Sequence, residues 1–491
     1  MKKILLIISL VLISFTSCDR IDYGDLNQNP YAAVDADASA LMRGAFARFS
    51  SLGYRGWYLN ATLYSQYLTQ FQYTNEQLYK HYVANWSPYY TQELNSLKTI
   101  MDIEKDPLGG DNVNMRAMAD IFSVYIWKRM TDTYGDIPYF EALKGAENVA
   151  PAFTSQKDIY LDLLTRVKTS RDALDASKYV PDANADIFYE GDVSKWKKFA
   201  NSLIMGLAIQ LSNTSEKATA STAFAEALAS GPIEDNADNL VFHPDEAGNF
   251  PSPVSLQRAG DYSISKELVE SLKGTTGGWG AGYTDPKNVT SNHTRDLRVE
   301  QYASGVGANA GNDASPYGYV SNTGTGEALN DRYLEASADH ILMSAAYTYL
   351  NRAEASLSSV FNTGENTNDM LTNGIISSFE AAGLSNADGS AQAAIRVADA
   401  ATAPNGIAQV IGEEKWFALF PDGYSAWAEQ RRTGFPALHP APEAINGGVI
   451  PHRMLYPDTA RRVNEAHWQE AVNNGLVPAE DKNTSTIWWE R

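Results

Sequence analysis

Residues Asn112 to Leu143 read NVNMRAMADIFSVYIWKRMTDTYGDIPYFEAL, and this stretch decides the fold. Met115, Met118, Phe122, Tyr125 and Met130 recur at helical spacing on one side, with Ala119 and Ile126 beside them. Arg116, Asp120, Lys128 and Asp132 fall mostly outside that stripe, so the run predicts an amphipathic helix with a broad buried face. Asp111 or Asn112 is placed to accept the free first-turn N–H groups. Gly135 supplies the stop, and Pro138 prevents a restart. Ile137, Tyr139 and Phe140 are then expected to fold back onto the helix. A helix this apolar needs partner helices on more than one side, so it reads as the hub of an all-α domain. The turn Tyr134–Tyr139 reads as structural, with nothing catalytic in it.

The surrounding composition supports a packed core: 44% of the 491 residues are hydrophobic and 20% charged. The formal charge is −20, or about −22 without Lys2 and Lys3, which argues against nucleic acid as a partner because phosphate binding needs a basic surface. Tyr (27) and Trp (10) together outnumber Phe (17), and rings with a polar edge suit partly wet surfaces and sugar or peptide contacts.

The chain begins MKKILLIISLVLISFTSCDR. Lys2 and Lys3 form a positive n-region, and the apolar run from Ile4 to Thr16 is too short for a bilayer core of ~30 Å. Residues 1–17 therefore read as a signal peptide. Cys18, the single cysteine, follows small residues as in a bacterial lipobox and is the expected lipidation site; no internal disulfide can form. Acyl chains on Cys18 would hang the protein from a membrane, with 18–34 as a polar tether. Residues 35–491 are then expected to form one helical domain.

Outward from the hub, Asp35–Ser51, Ser155–Ala176, the run VSKWKKFANSLIMGLAIQLS, 216–230, Asp369–Ala382, Ser390–Ala400, Asn405–Phe420, Gly423–Arg431 and Thr459–Asn473 all read as helices. So does the run from Glu335 through HILMSAAYTYLNRAEASLSSV. Repeated helix–turn–helix pairs suggest a tetratricopeptide-like array without a clean 34-residue repeat. Between Tyr54 and Tyr90 stand twelve aromatic residues where the chain average would give about four, and several of them must be core. Tyr64, Tyr67 and Phe71 follow helical spacing, as do Tyr82, Trp86 and Tyr89, with Tyr73–Glu76 as the polar break between them. Tyr73, Asn75 and Tyr79 at that break are candidate ligand contacts.

Residues 232–332 change character: one helix, near Ser263–Leu272, precedes a Gly-rich run at 274–326. That run carries Trp279, Tyr283, Tyr302, Tyr317 and Tyr319. Glycine lets a backbone approach a ligand and rings offer stacking faces, so Trp279, Tyr283, Tyr317 and Tyr319 join the candidate site. A surface excursion with incidental aromatics is the competing reading.

Several landmarks fall in a family order: Tyr134–Tyr139 after a long helix, the KW…FANSL pattern from Lys195, Asn373–Ser378, Arg431–Pro436, Ile450–Pro457 and the closing Trp488–Trp489. With the lipobox, the chain resembles the SusD/RagB-like nutrient-binding outer-membrane lipoproteins, in the branch that ends in a double tryptophan. Asp296-Leu297-Arg298 stands where that pattern has Asp-Pro-Arg. The resemblance implies a SusD-like α-helical fold with tetratricopeptide-like helix pairs and long irregular loops. It implies an outer-membrane, lipid-anchored location facing the cell exterior, and a SusC-like TonB-dependent transporter as partner. The ligand would be an oligosaccharide or peptide, passed on to that transporter. Arg431, Arg432, Trp488 and Trp489 read as structural, the arginines pairing with buried carboxylates and the indoles closing the core.

Catalytic motifs are not evident: there is no HExxH, GxSxG or GxxxxGK[ST], and the seven histidines are dispersed. Asp182, Asn184 and Asp186 mimic the start of a calcium loop, but Ile187 and Val193 occupy its sixth and twelfth positions, so a helix-entry cap is the preferred reading. No cofactor, metal or catalytic residue is assigned. A surface glycoside hydrolase and a ligand-free structural lid of the transporter are the alternatives to a binding protein.

Overall fold

The computed structural model describes residues 37–491 apart from 53–58, 82, 84, 245–248, 257–259, 274–294, 306, 308–312 and 323–325, and among these described residues seventeen segments are α-helices. The signal peptide, Cys18 and tether lie outside the described residues, as do Tyr54, Trp57, Tyr58, Tyr82, Trp279 and Tyr283. Residues Ala38–Arg491 form one compact unit.

The first helices are α1 (Ala38–Leu52), α2 (Leu59–Tyr64), α3 (Asn95–Asp102) and α4 (Val113–Tyr134). Then come α5 (Gln156–Ala173), α6 (Val193–Gln210), α7 (Lys217–Ala229), α8 (Lys266–Lys273), α9 (Val299–Tyr302) and α10 (Asp331–Leu334). The last are α11 (Ala345–Leu357), α12 (Thr367–Ala381), α13 (Asn386–Asp399), α14 (Gly406–Ala418), α15 (Gly423–Thr433), α16 (Asp458–Val463) and α17 (Glu465–Gly475). Three two-stranded antiparallel ribbons join them: β1 (Leu68–Gln70) with β5 (Tyr262–Ile264), β2 (Ile137–Pro138) with β3 (Phe153–Thr154), and β4 (Leu240–Phe242) with β6 (His340–Met343).

α4 is the hub the periodicity predicts. It buries residues on all sides and touches α1, α3, α5 and α6. Successive helices pair through the rest of the chain: α5 on α6, α6 on α7, α11 on α12, α12 on α13. Contacts from α11 to α6 and from α15 to α2 tie the later helices to the earlier ones. Gly135 ends α4 at φ +88°, and a Cβ there would stand 3.0 Å from Ile487 Cγ2, so both backbone and packing require glycine. Asn112 precedes α4 without a side-chain cap bond; its Nδ2 donates to Ile103 O at 3.1 Å instead. Ile137 and Tyr139 fold back into the core, but Phe140 is 56% exposed.

Three expected helices are partly strand, the one near Ser263–Leu272 because β5 takes Ser263 and Ile264 and α8 starts only at Lys266. The HILM run of β6 pairs with β4, and α11 starts only after Ser344, whose hydroxyl accepts from Tyr347 N. Tyr64, Tyr67 and Phe71 do not share a helix: α2 ends at Tyr64 and the chain extends into β1, where backbone pairing with β5 overrides the spacing. The calcium-like run is a cap. Asp186 accepts the N–H groups of Phe188, Tyr189 and Gly191 and the indole N–H of Trp196 at 2.6 Å, and Asp192 caps α6.

A buried ion ladder surrounds α14. Arg298 pairs with Asp296 (2.6 Å) and Glu414 (2.8 Å), and Arg396 with Glu413 (2.6 Å) and Glu414 (2.7 Å). Lys415 pairs with Glu354 (2.5 Å) and Glu429 (3.2 Å), and Arg432 bridges the same two glutamates. Burial works to raise the Glu429 carboxyl, but Arg432 and Lys415 outweigh it and hold the group well below the usual carboxylate range. Arg431 lies over the rings of Trp427 (3.8 Å) and Trp489 (4.8 Å), and the Trp489 indole donates to Asp132 of α4.

Candidate ligand-binding surface

Two glutamines build the loop that carries Tyr73. Gln70 ends β1 and Gln77 follows seven residues on, both fully buried. Gln70 N donates to Gln77 Oε1 (2.8 Å), Gln77 N to Gln70 Oε1 (3.0 Å) and Gln77 Nε2 to Gln70 O (3.1 Å). The side-chain amides thus imitate a strand pairing and close residues 71–76 into a tight excursion. Tyr73 sits near its tip at φ +55° and is 70% exposed as a residue, and Asn75 beside it is exposed. A left-handed tyrosine is costly, so the surrounding bonds impose it.

Residues 319–322 and Gly326 lie against this loop. Gln77 Nε2 donates to Tyr319 O at 3.0 Å, Thr74 Oγ1 to Val320 O at 3.2 Å, and Asn322 Nδ2 to Thr69 Oγ1 at 3.2 Å. Gly326 is required by the same contact: its φ is +65°, and a Cβ would stand 2.2 Å from the Phe71 ring. A third segment closes the rim, with Val320 N donating to Glu443 Oε2 at 2.5 Å and Ile445 N to Leu78 O at 2.9 Å. Tyr73, Val320 and Ile445 are thereby exposed apolar side chains on three interlocked segments. Glu76 and Glu443 belong to the same rim and give it an acidic character.

The expected site residues divide by burial. Tyr73 and Asn75 are exposed and Tyr319 is half-buried. Tyr79 and Tyr317 are fully buried, with ring centroids 6.4 Å apart, so they brace the rim from below and do not face solvent. The Tyr79 hydroxyl accepts from Ala441 N at 3.0 Å, and burial pushes its pKa up to about 12. The glutamine clamp, Asn322 and Glu443 were not evident from the sequence, where nothing marks two glutamines seven apart as partners.

A separate concavity of about 310 Å³ lies among α4, α6, β6, α12 and the Leu419–Ser425 turn. Tyr125, Arg129, Tyr302, Tyr333, His340 and Phe420 line it. None of these belongs to the Tyr73 rim. Among the described residues, no helix is long and apolar enough to cross a membrane.

Comparison with solved structures finds the same fold repeatedly. A chitin-binding protein superposes with a TM-score of 0.77 at 23% identity, over 93% of this chain and 100% of that one. A SusD homologue from Bacteroides uniformis gives 0.73 at 23% identity, again over 93% and 100%. A chitin-binding SusD homologue from Flavobacterium johnsoniae gives 0.68 at 20% identity, over 92% and 98%. Comparison with curated proteins finds no match. Residues 30–457 match the SusD-like family model described as starch-binding associating with outer membrane. With the family match extending over most of the sequence and the hub, helix pairs and ribbons in place, the chain belongs to the SusD-like family.

Proposed function

We propose that this chain is a cell-surface glycan-binding lipoprotein. It is anchored in the outer membrane through Cys18, holds an oligosaccharide at the rim formed by Tyr73, Asn75 and Tyr319, and passes it to a SusC-like TonB-dependent transporter. Trp279 and Tyr283 belong to the same proposed site. The observation that carries the reading is Tyr73, an aromatic residue 70% exposed yet held by a loop with buried, hydrogen-bonded ends. A ring presented to water on a fixed frame suits stacking against the apolar face of a sugar. The family description as starch-binding supports a glycan over a peptide, as do the chitin-binding neighbours. The acidic rim supports a neutral glycan.

Calorimetry against maltooligosaccharides, chitooligosaccharides, acidic glycans and mixed peptides tests this. The expected result is saturable binding of a neutral oligosaccharide without turnover. Tyr73→Ala and Tyr319→Ala should each weaken it about tenfold, the equivalent of ~1.4 kcal/mol. Unchanged affinity in both variants would place the ligand elsewhere, and release of product from the oligosaccharide would replace this reading with a hydrolase.

A further inference from the structure

The concavity between α4, α6 and β6 takes no part in the rim just described. Its volume of about 310 Å³ lies at the lower end of the range of ligand cavities, ~300–1,000 Å³. Arg332 and Asp339, both exposed, belong to its wall and reach solvent, whereas His340, Tyr302 and Leu203 are buried.

Its walls are built before any ligand arrives. Arg129 of α4 donates to Asp422 Oδ2 (2.8 Å) and to the Tyr125 hydroxyl (2.6 Å), which in turn donates to Leu342 O of β6 (3.0 Å). These bonds tie α4, β6 and the turn before α15 into one fixed polar edge. Aromatic rings supply another wall: Tyr302 stacks on Phe420 at 4.3 Å, and Tyr333 meets Phe420 edge-on at 5.3 Å.

Two cations of the lining are compensated: Arg129 pairs with Asp422 and Lys128 with Asp132 (2.7 Å). The exposed Asp339 is hydrogen-bonded to the His243 imidazole (2.7 Å). Arg332 is held on the carbonyls of Ala381 and Ala382. Burial pushes His340 down to about 4, so its imidazole is neutral at neutral pH. Deeper than the exposed Arg332 and Asp339, a charged guest would find no free counter-charge and would meet a large desolvation cost.

Gly206 is the independent sign that the space is kept open. It lies inside α6, where glycine is unfavourable relative to alanine. Other buried helical glycines have a steric reason: a Cβ at Gly374, Gly389 or Gly412 would come within 2.8, 2.9 or 2.5 Å of a neighbour, whereas Gly44 of α1, with open space around it, is only half-buried. A Cβ at Gly206 meets only Tyr347 Cε1, at 3.8 Å, an ordinary contact. Packing does not exclude a side chain there. What a longer side chain would do is enter the cavity, whose wall Gly206 forms.

We propose that this cavity is a second binding site, distinct from the Tyr73 rim, that takes a small neutral polyhydroxylated ring the size of one monosaccharide. Aromatic rings suit the apolar face of such a ring, and the fixed polar edge suits its hydroxyls.

The experiment is calorimetry and thermal melting of the purified full chain with D-glucose, D-galactose, D-mannose and N-acetyl-D-glucosamine, with D-glucuronate as the charged control. One-site saturable binding of at least one neutral sugar is expected, with D-glucuronate at least tenfold weaker. Gly206→Leu should weaken that binding tenfold or more. Should Gly206→Leu fail to fold, Gly206→Ala serves: it should raise the melting temperature while weakening the sugar severalfold. The Tyr73→Ala chain, impaired in oligosaccharide capture, should still bind the monosaccharide. Absence of binding by all four neutral sugars overturns the proposal. So does unchanged affinity in the Gly206 variant that folds, equal binding of D-glucuronate, or joint loss of both ligands in Tyr73→Ala.

Discussion

Replacing Gln77 by alanine removes the clamp without touching the exposed ring it serves. The Gln77 side chain makes four hydrogen bonds: it accepts from Gln70 N and Thr69 Oγ1 and donates to Gln70 O and Tyr319 O. Thr69 keeps an alternative, because its hydroxyl also reaches Pro316 O at 3.0 Å. Three backbone groups, Gln70 N, Gln70 O and Tyr319 O, are left without the partner they had. At ~1 kcal/mol net for each buried hydrogen bond, the loss is about 3 kcal/mol, less where water enters the gap. Urea unfolding measures the global part. Amide exchange measures the local part, since residues 71–76 and 319–320 should lose protection before the α4 core does. Oligosaccharide affinity should fall about tenfold although Tyr73 is intact, because the ring must then be ordered at the moment of binding. A stability loss below ~0.5 kcal/mol together with unchanged exchange in 71–76 would refute the clamp, for it would mean that the loop stands without it.

Four further outcomes follow from the same geometry. Tyr73→Ala should change the unfolding free energy in urea by no more than ~0.5 kcal/mol while weakening ligand, because the residue is mostly exposed; a large stability loss would give Tyr73 a core role. Gly326→Ala combines a φ of +65° with collision against Phe71 and should cost at least ~2 kcal/mol in denaturant unfolding; a wild-type midpoint would show that the two segments part readily. Burial pushes Asp136 up to about 6, against ~3.9 unfolded, so the folded chain holds a proton that the unfolded chain gives up. Stability contributed by this group is therefore present below about pH 4 and lost as pH rises through about 6, and Asp136→Asn should flatten that slope by roughly 3 kcal/mol in unfolding measured across the window. Arg298→Ala leaves Asp296 and Glu414 buried with one cation fewer and should cost about 3–5 kcal/mol by denaturant unfolding; a neutral effect would show that water reaches the ladder.

The hub was legible because its signal is local. Apolar spacing, Gly135 and Pro138 all act within one segment, and the helix they predict spans Val113–Tyr134. The HILM run failed for the opposite reason. Four apolar residues fit a buried helix or a buried strand, and the choice was made by β4, a hundred residues upstream. Tyr64, Tyr67 and Phe71 fit a helix by spacing but lost to the pairing of β1 with β5. The polar break at Tyr73 marked the exposed loop correctly, yet counting aromatics could not separate Tyr73 from buried Tyr79 six positions away. Nor could it find Gln77, whose partners include a carbonyl at Tyr319. The Arg432 pairing was expected, and Asp296 and Arg298 keep their ion pair although leucine replaces the proline between them.

The ladder around α14 also sets the angle of that helix about its own axis. Glu413, Glu414 and Lys415 are consecutive and fully buried and point in directions about 100° apart, the two glutamates sharing Arg396 and the lysine meeting Glu354 and Glu429. A hydrophobic face tolerates some rolling, since one methyl group can replace another. Here a roll by one residue would carry Lys415 toward the place of Glu414, setting a cation before Arg298 and Arg396. Insertion or deletion of one residue upstream within α14 has the same effect, so the helix admits a single phase. Sequence drift in its apolar positions can continue, while its length and winding stay fixed by sign.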